Sequence, residues 1–171
     1  MSPRAAVRLG WTLVAVTCSA AIASVILGLL SGADARPEEV GAISDIFVAF
    51  AGAVTFAVIG ALVVARHPRN PVGWITCVVG LSVALFRFCV EYGLYAVLAQ
   101  PGALPVGEVM VWLSEWIWVP AMLLGTLLLL LFPGGRLPSP RWRPVAWLAV
   151  AGMLGVGLSR GVLPGQARVP A

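Results

Sequence analysis

The sequence predicts an all-α, polytopic membrane bundle of four to five transmembrane helices, and three observations predict it. First, 60% of the 171 residues are hydrophobic and only 11% are charged, with a mean hydropathy of +0.99. A soluble domain carries about 25% charged residues to cover its water-facing surface, so an ordinary water-soluble fold is excluded. Second, the apolar residues gather into runs, and a bilayer core of roughly 30 Å takes about 20 helical residues per crossing. Third, the arginines concentrate in connections on one side, as basic side chains do in membrane proteins. A chain of 171 residues then holds a handful of spans and short loops, with no soluble catalytic domain, and forms a single membrane domain.

Five apolar segments are expected, at about residues 7–30, 42–65, 74–99, 109–132 and 145–158. The first follows Arg4 and Arg8 and precedes Ala33-Asp34-Ala35, which resembles a signal-peptide cleavage site. A signal peptide's apolar region runs to only about 7–15 residues, so a retained helix is expected. The second repeats alanine every four residues, at Ala49, Ala53, Ala57, Ala61 and Ala65, and the first does the same with Ala20, Ser24 and Gly28. Small residues on one stripe let two helix backbones approach closely, either within one chain or in a homodimer, and packing within the chain is the plainer expectation. The fourth segment contains Pro120, which lacks a backbone donor and commonly kinks a membrane helix. The fifth is short and glycine-rich, with Gly152, Gly155 and Gly157, and spans only if it continues past Arg160 toward Leu163.

Orientation follows from the connections. With a cytoplasmic N-terminus, the inner side holds Arg4, Arg8, Arg66, Arg69, Arg136, Arg141 and Arg143, and the outer side only Arg36, Arg160 and Arg168. Asp34, Glu38 and Glu39 also fall outside. This matches the positive-inside pattern of a multi-pass plasma (inner) membrane protein. Trp11, Trp74, Trp142 and Trp147 fall near the inner interface and Trp112 near the outer one. The net charge of +4 comes from 11 arginines and no lysine. Topology accounts for that charge, so the lipid bilayer and not nucleic acid is the expected partner. Cys18, Cys77 and Cys89 lie inside apolar runs without metal-ligand spacing, and His67 is the single histidine. Neither a metal site nor a cofactor is expected.

Four ionisable residues fall inside the expected spans: Asp45, Arg87, Glu91 and Glu115. A charge at a helix centre costs about 2.5–3.5 kcal/mol on insertion scales, so such residues face the bundle interior and pair. Arg87 and Glu91 stand at i,i+4, the spacing at which two side chains meet on one helix face, and Tyr95 extends that stripe outward. Glu108 and Glu115 share a face of the fourth segment with Trp112 between them. Counting about 1.5 Å of rise per residue from the outer ends, Glu91 and Glu115 sit at similar depth, roughly 10–12 Å in. Asp45, Arg87, Glu91, Tyr95 and Glu115 are therefore expected to form a polar pocket in the outer half. There, three carboxyls against one guanidinium cannot all ionise cheaply. The pocket reads either as a buried ion pair locking the third helix to its neighbours or as a ligand- or proton-sensing site.

The connections have distinctive wording: RHPRNPVGW from Arg66, LAQPGALPVGE followed by WLSEWIWVP, and LFPGGRLPSPRWRPVAW ending at Trp147. Over residues 63–148 the chain resembles the N-terminal membrane region of actinobacterial sensor histidine kinases and kinase-like ATP-binding proteins, with Gly134 where that pattern usually has an acidic residue. The resemblance implies a multi-helix sensory input region feeding a cytoplasmic dimerisation and ATP-binding module. No phospho-acceptor helix or glycine-rich ATP lid is present in these residues, and His67 lies in a short proline-flanked turn. The expected function is thus membrane-embedded signal input with no catalytic residues of its own, working through a cytoplasmic kinase module or partner. The alternative is a small transporter or channel subunit lined by Arg87, Glu91 and Glu115. An intramembrane enzyme lacks any Ser/His, paired-Asp or HExxH set.

Overall fold

The computed structural model describes residues 2–32, 36, 41–131 and 139–162, and every regular element among them is helical. Four stretches are long and apolar enough to cross a membrane: Pro3–Ser31, Ile43–Arg66, Pro71–Ala99 and Gly107–Leu131. The chain is a multi-pass helical membrane protein.

Helix α1 (Pro3–Ser31) starts four residues before the apolar run because Ser2 and Pro3 start it: the Ala5 amide donates to Ser2 Oγ at 3.3 Å, and Pro3 occupies the first turn. That turn needs no donor from proline and favours its fixed φ. The buried residues of α1 are Ala6, Gly10, Val14, Thr17, Ala21, Ser24, Gly28 and Ser31. Their three- and four-residue spacing draws one seam along the helix. Helix α2 (Ile43–Arg66) buries Ala53, Ala57 and Ala61 of its alanine stripe. Both stripes are filled within the chain. Val14, Ala57, Ala61 and Cys77 form one core cluster, and Ala21, Ala53 and Ala84 form a second.

Glycines set the closeness of this packing. A β-carbon on Gly10 would sit 3.6 Å from Ala61 Cα, placing α1 antiparallel to α2. One on Gly80 would sit 2.6 Å from the Ala53 carbonyl, and one on Gly60 2.8 Å from the Gly73 carbonyl. Helices α2 and α3 (Pro71–Leu94) thus touch backbone to backbone, and the Cys77 thiol donates across to the Ala57 carbonyl at 3.6 Å. Buried hydroxyls stay on their own helix: Thr17 donates to Leu13 O, Ser24 to Ala21 O and Thr76 to Val72 O. Each is paired without an interhelical bond.

The turn between α2 and α3 explains the wording of RHPRNPVGW. The Asn70 amide donates to the His67 carbonyl at 2.9 Å, closing the turn. Asn70 Oδ1 then accepts from the Val72 amide at 3.0 Å as the N-cap of α3, with Pro71 at the first helical position. The Trp74 indole donates to the Pro68 carbonyl at 3.0 Å. Gly73 lets α2 come near, since a β-carbon there would sit 3.0 Å from the Val64 amide. Asn70→Ala is expected to remove the cap and lower stability by about 1 kcal/mol, read as a lower midpoint in detergent or SDS unfolding.

Beyond Leu94 helix α3 widens into a π turn, Tyr95–Ala99. The following connection folds back with the Gly102 amide on Ala96 O and the Tyr92 hydroxyl on Pro105 O. Gly102 takes the left-handed conformation that its missing β-carbon permits. The fourth span is two helices, α4 (Gly107–Ser114) and α5 (Trp118–Leu131), and not the single run expected from its hydropathy. The break at 115–117 follows from Pro120. An α-helical donor at 120 would serve the Trp116 carbonyl, and proline supplies none while its ring crowds that carbonyl. The Trp116 carbonyl instead accepts from the Val119 amide at 2.9 Å, and the Trp118 indole donates to the Glu115 carbonyl at 2.9 Å. Helices α4 and α5 pack on α3, and α6 (Arg143–Val162) packs on α5. Helix α6 does run past residue 160, although its apolar stretch, Arg143–Ser159, is the shortest of the five.

Candidate functional site: an Arg–Glu–Arg cluster

The site is built on α3, at the end of the bundle opposite the Arg66 turn. Gly80, Ala84 and Glu91 lie on the face of α3 turned to α1 and α2. The carboxylate of Glu91 is therefore driven into the seam between those helices, where it is fully buried. Gly28 of α1 makes room for it: a β-carbon there would lie 3.1 Å from Glu91 Oε2 and run into the Ile46 side chain. Burying a lone carboxylate would cost several kcal/mol, and two guanidinium groups offset that cost.

Arg87, one turn back on the same helix, donates from Nη2 to Glu91 Oε1 at 2.7 Å. This is the i,i+4 pair its spacing predicts. The second arginine is Arg36, from the connection between α1 and α2. Its Nη1 donates to Glu91 Oε2 at 2.8 Å and its Nη2 to Oε1 at 3.0 Å. Its Nε donates to the Gly41 carbonyl at 3.2 Å. This is the fork-on-fork arrangement that makes Arg–carboxylate pairs both strong and directional. The side chain of Arg36 is 4% exposed and that of Arg87 11%. Among the described residues, two guanidinium groups therefore donate to one carboxylate in a nearly dry setting. To the one guanidinium expected here, Arg87, the structure adds a second, Arg36, a residue expected among the outer loop charges.

The other residues expected in the pocket are placed as follows. Asp45 is exposed and caps α2, its Oδ2 accepting from the Ala42 amide at 3.0 Å. Tyr95 is half-buried and its hydroxyl donates to Gln100 Oε1 at 3.1 Å. Glu115 is half-buried at the break between α4 and α5, beside the Trp112–Trp116 edge-to-face pair with ring centroids 4.8 Å apart. Glu108 is exposed in the first turn of α4. At the opposite end Arg66, Arg69, Arg141 and Arg143 are all exposed. Arg136, with Asp34, Glu38, Glu39, Gly134 and Arg168, lies outside the described residues.

Two buried donors have no hydrogen-bond partner among the described residues, Arg87 Nε and Trp116 Nε1. No group of three His, Cys, Asp or Glu side chains among those residues is placed to hold a metal ion. The cluster offers recognition and linkage: through one carboxylate it ties the α1–α2 connection, the Gly28 end of α1 and the Glu91 end of α3. No family model, no curated protein and no solved structure matches the chain.

Proposed function

We propose that this chain is a membrane-embedded signal-input domain, similar in role to the sensory half of a two-component histidine kinase. In this reading it sits in the plasma (inner) membrane with its N-terminus cytoplasmic, and it acts on a cytoplasmic kinase module or partner. The observation that carries the reading is the Arg36–Glu91–Arg87 cluster. It makes the packing of the three core helices depend on a side chain from the extracytoplasmic connection. A stimulus that favours the unlatched arrangement over the latched one shifts the population by its differential affinity for the two. The shift then reaches the Arg66 turn through α2 and α3, whose glycine-lined contact leaves little slack to absorb it.

A transport path needs polar groups through the full depth of the bundle. Among the described residues, the buried side chains toward the Arg66 end include Ala6, Val14, Ala57, Ala61, Val64 and Cys77, and the nearby hydroxyls of Thr17 and Thr76 are bonded to their own helices. That supports a pocket at one end over a pore.

The test measures distance at the far end. Spin labels replace Arg66 and Arg143, both exposed, in a chain with its native cysteines changed to alanine, and pulsed EPR reads their separation in lipid nanodiscs. Arg36→Ala is expected to shift or broaden the distance distribution. A distribution identical to that of the chain with Arg36 intact would overturn the input reading.

A further inference from the structure

We propose that Glu91, with the Gly41 carbonyl and the floor opened by Gly28, is a receptor site for a guanidinium cation, and that Arg36 is its built-in occupant. The proposal names the ligand class of the signal-input reading and rests on that reading only for its biological consequence. The site itself stands on geometry.

Arg87 at 2.7 Å already gives Glu91 a counter-charge from the same helix, and Arg36 joins it as a second guanidinium on the same carboxylate. Charge attraction holds Arg36 there, and shape selects it. Three acceptors surround one guanidinium: Glu91 Oε2 at 2.8 Å and Glu91 Oε1 at 3.0 Å on its Nη1/Nη2 edge, and the Gly41 carbonyl at 3.2 Å on Nε. A guanidinium presents its donors in a fixed, planar array that meets such a set, whereas an ammonium is a compact, strongly hydrated point charge. Gly28 supplies the room, since a β-carbon there would press on Glu91 Oε2 at 3.1 Å. Of the three charged side chains, Arg87 and Glu91 stand on α3 and Arg36 on the α1–α2 connection, so replacing Arg36 leaves both helical partners in place. A small guanidinium compound arriving from that side would compete for the same three acceptors.

The experiment is a chemical rescue on the full chain in detergent micelles. The unfolding midpoints of wild type, Arg36→Gly, and Arg36→Gly combined with Glu91→Gln are followed while methylguanidinium chloride is titrated, with methylammonium chloride and sodium chloride as controls. Arg36→Gly is expected to lower the midpoint and methylguanidinium to recover most of that loss saturably. Methylammonium and sodium are expected to recover little, and the double variant is expected to be insensitive. If Arg36→Gly does not yield folded protein, Arg36→Gln is titrated in the same way. No saturable recovery, or equal recovery by methylammonium, overturns the site. Recovery without any response in the far-end EPR distance keeps the site and removes its role in signalling. Absence of recovery with an intact far-end response removes the site and leaves the signalling reading standing.

Discussion

Glu91→Ala is expected to be the most damaging single charge substitution in the chain. Removing one member of a buried ion pair costs about 3–5 kcal/mol, because the partner stays buried without compensation. Here one carboxylate serves two guanidinium groups, so its loss strands both. Glu91→Gln is expected to be nearly as harmful despite its shape. The amide keeps one acceptor and turns a pair of donors toward an arginine that also only donates.

The arginines are expected to rank below it, and in a definite order. Arg87→Ala leaves the fork between Arg36 and Glu91 intact, so the carboxylate remains paired. Arg36→Ala leaves Glu91 paired with Arg87 on the same helix, and it should cost least. Residues sharing one network are not additive, so adding Arg36→Ala to Glu91→Ala is expected to relieve part of the damage by removing one stranded charge. SDS-unfolding midpoints of the four single variants and the double variant check the ranking. If Arg36→Ala proved as costly as Glu91→Ala, Glu91 would not be the shared partner on which both arginines depend.

How much of this was legible in the sequence varies with how local the cause is. The spans were legible because hydropathy is additive along a run. Arg87 and Glu91 were legible as a pair because helical geometry alone places i and i+4 together. Arg36 was not. Its contact with Glu91 crosses 55 positions of sequence and follows no period, and a loop arginine reads from sequence as a topology signal. The available hint was chemical: Glu91 and Gly28 lie at matching depth on two helices, which leaves a carboxylate facing open space. Pro120 announced an interruption, but the break appears at 115–117, because the lost hydrogen bond belongs to the carbonyl four residues earlier. The wording of RHPRNPVGW carried no readable chemistry and proves to be turn and cap geometry, from the Asn70 cap to the Trp74 indole on Pro68 O.

Gly80→Val is the second substitution with a large expected effect, and it separates close packing from glycine's cost to a helix. In an isolated helix glycine is worse than alanine by roughly 0.5–1 kcal/mol, so on helix preference alone replacing it should help. At Gly80 the first added carbon would meet the Ala53 carbonyl at 2.6 Å and the Ala57 amide at 2.7 Å. Both are backbone atoms and cannot rotate aside. Helices α2 and α3 must move apart, and the contacts of Ala53, Ala57, Ala84 and Cys77 weaken together. Overpacking of a dense core costs about 1–3 kcal/mol and at times more. A β-branched residue at a backbone contact belongs at the upper end of that range. Gly125 and Gly152 provide the contrast, because a β-carbon on either would meet nothing within 4 Å. Gly125→Ala and Gly152→Ala are expected to leave the unfolding midpoint unchanged or raised, while Gly80→Ala lowers it and Gly80→Val lowers it further. Equal effects at all three sites would mean that α2 and α3 are not in backbone contact. The rigid link from the Glu91 cluster to the Arg66 turn would then be lost, because that link depends on a contact too close to absorb a shift.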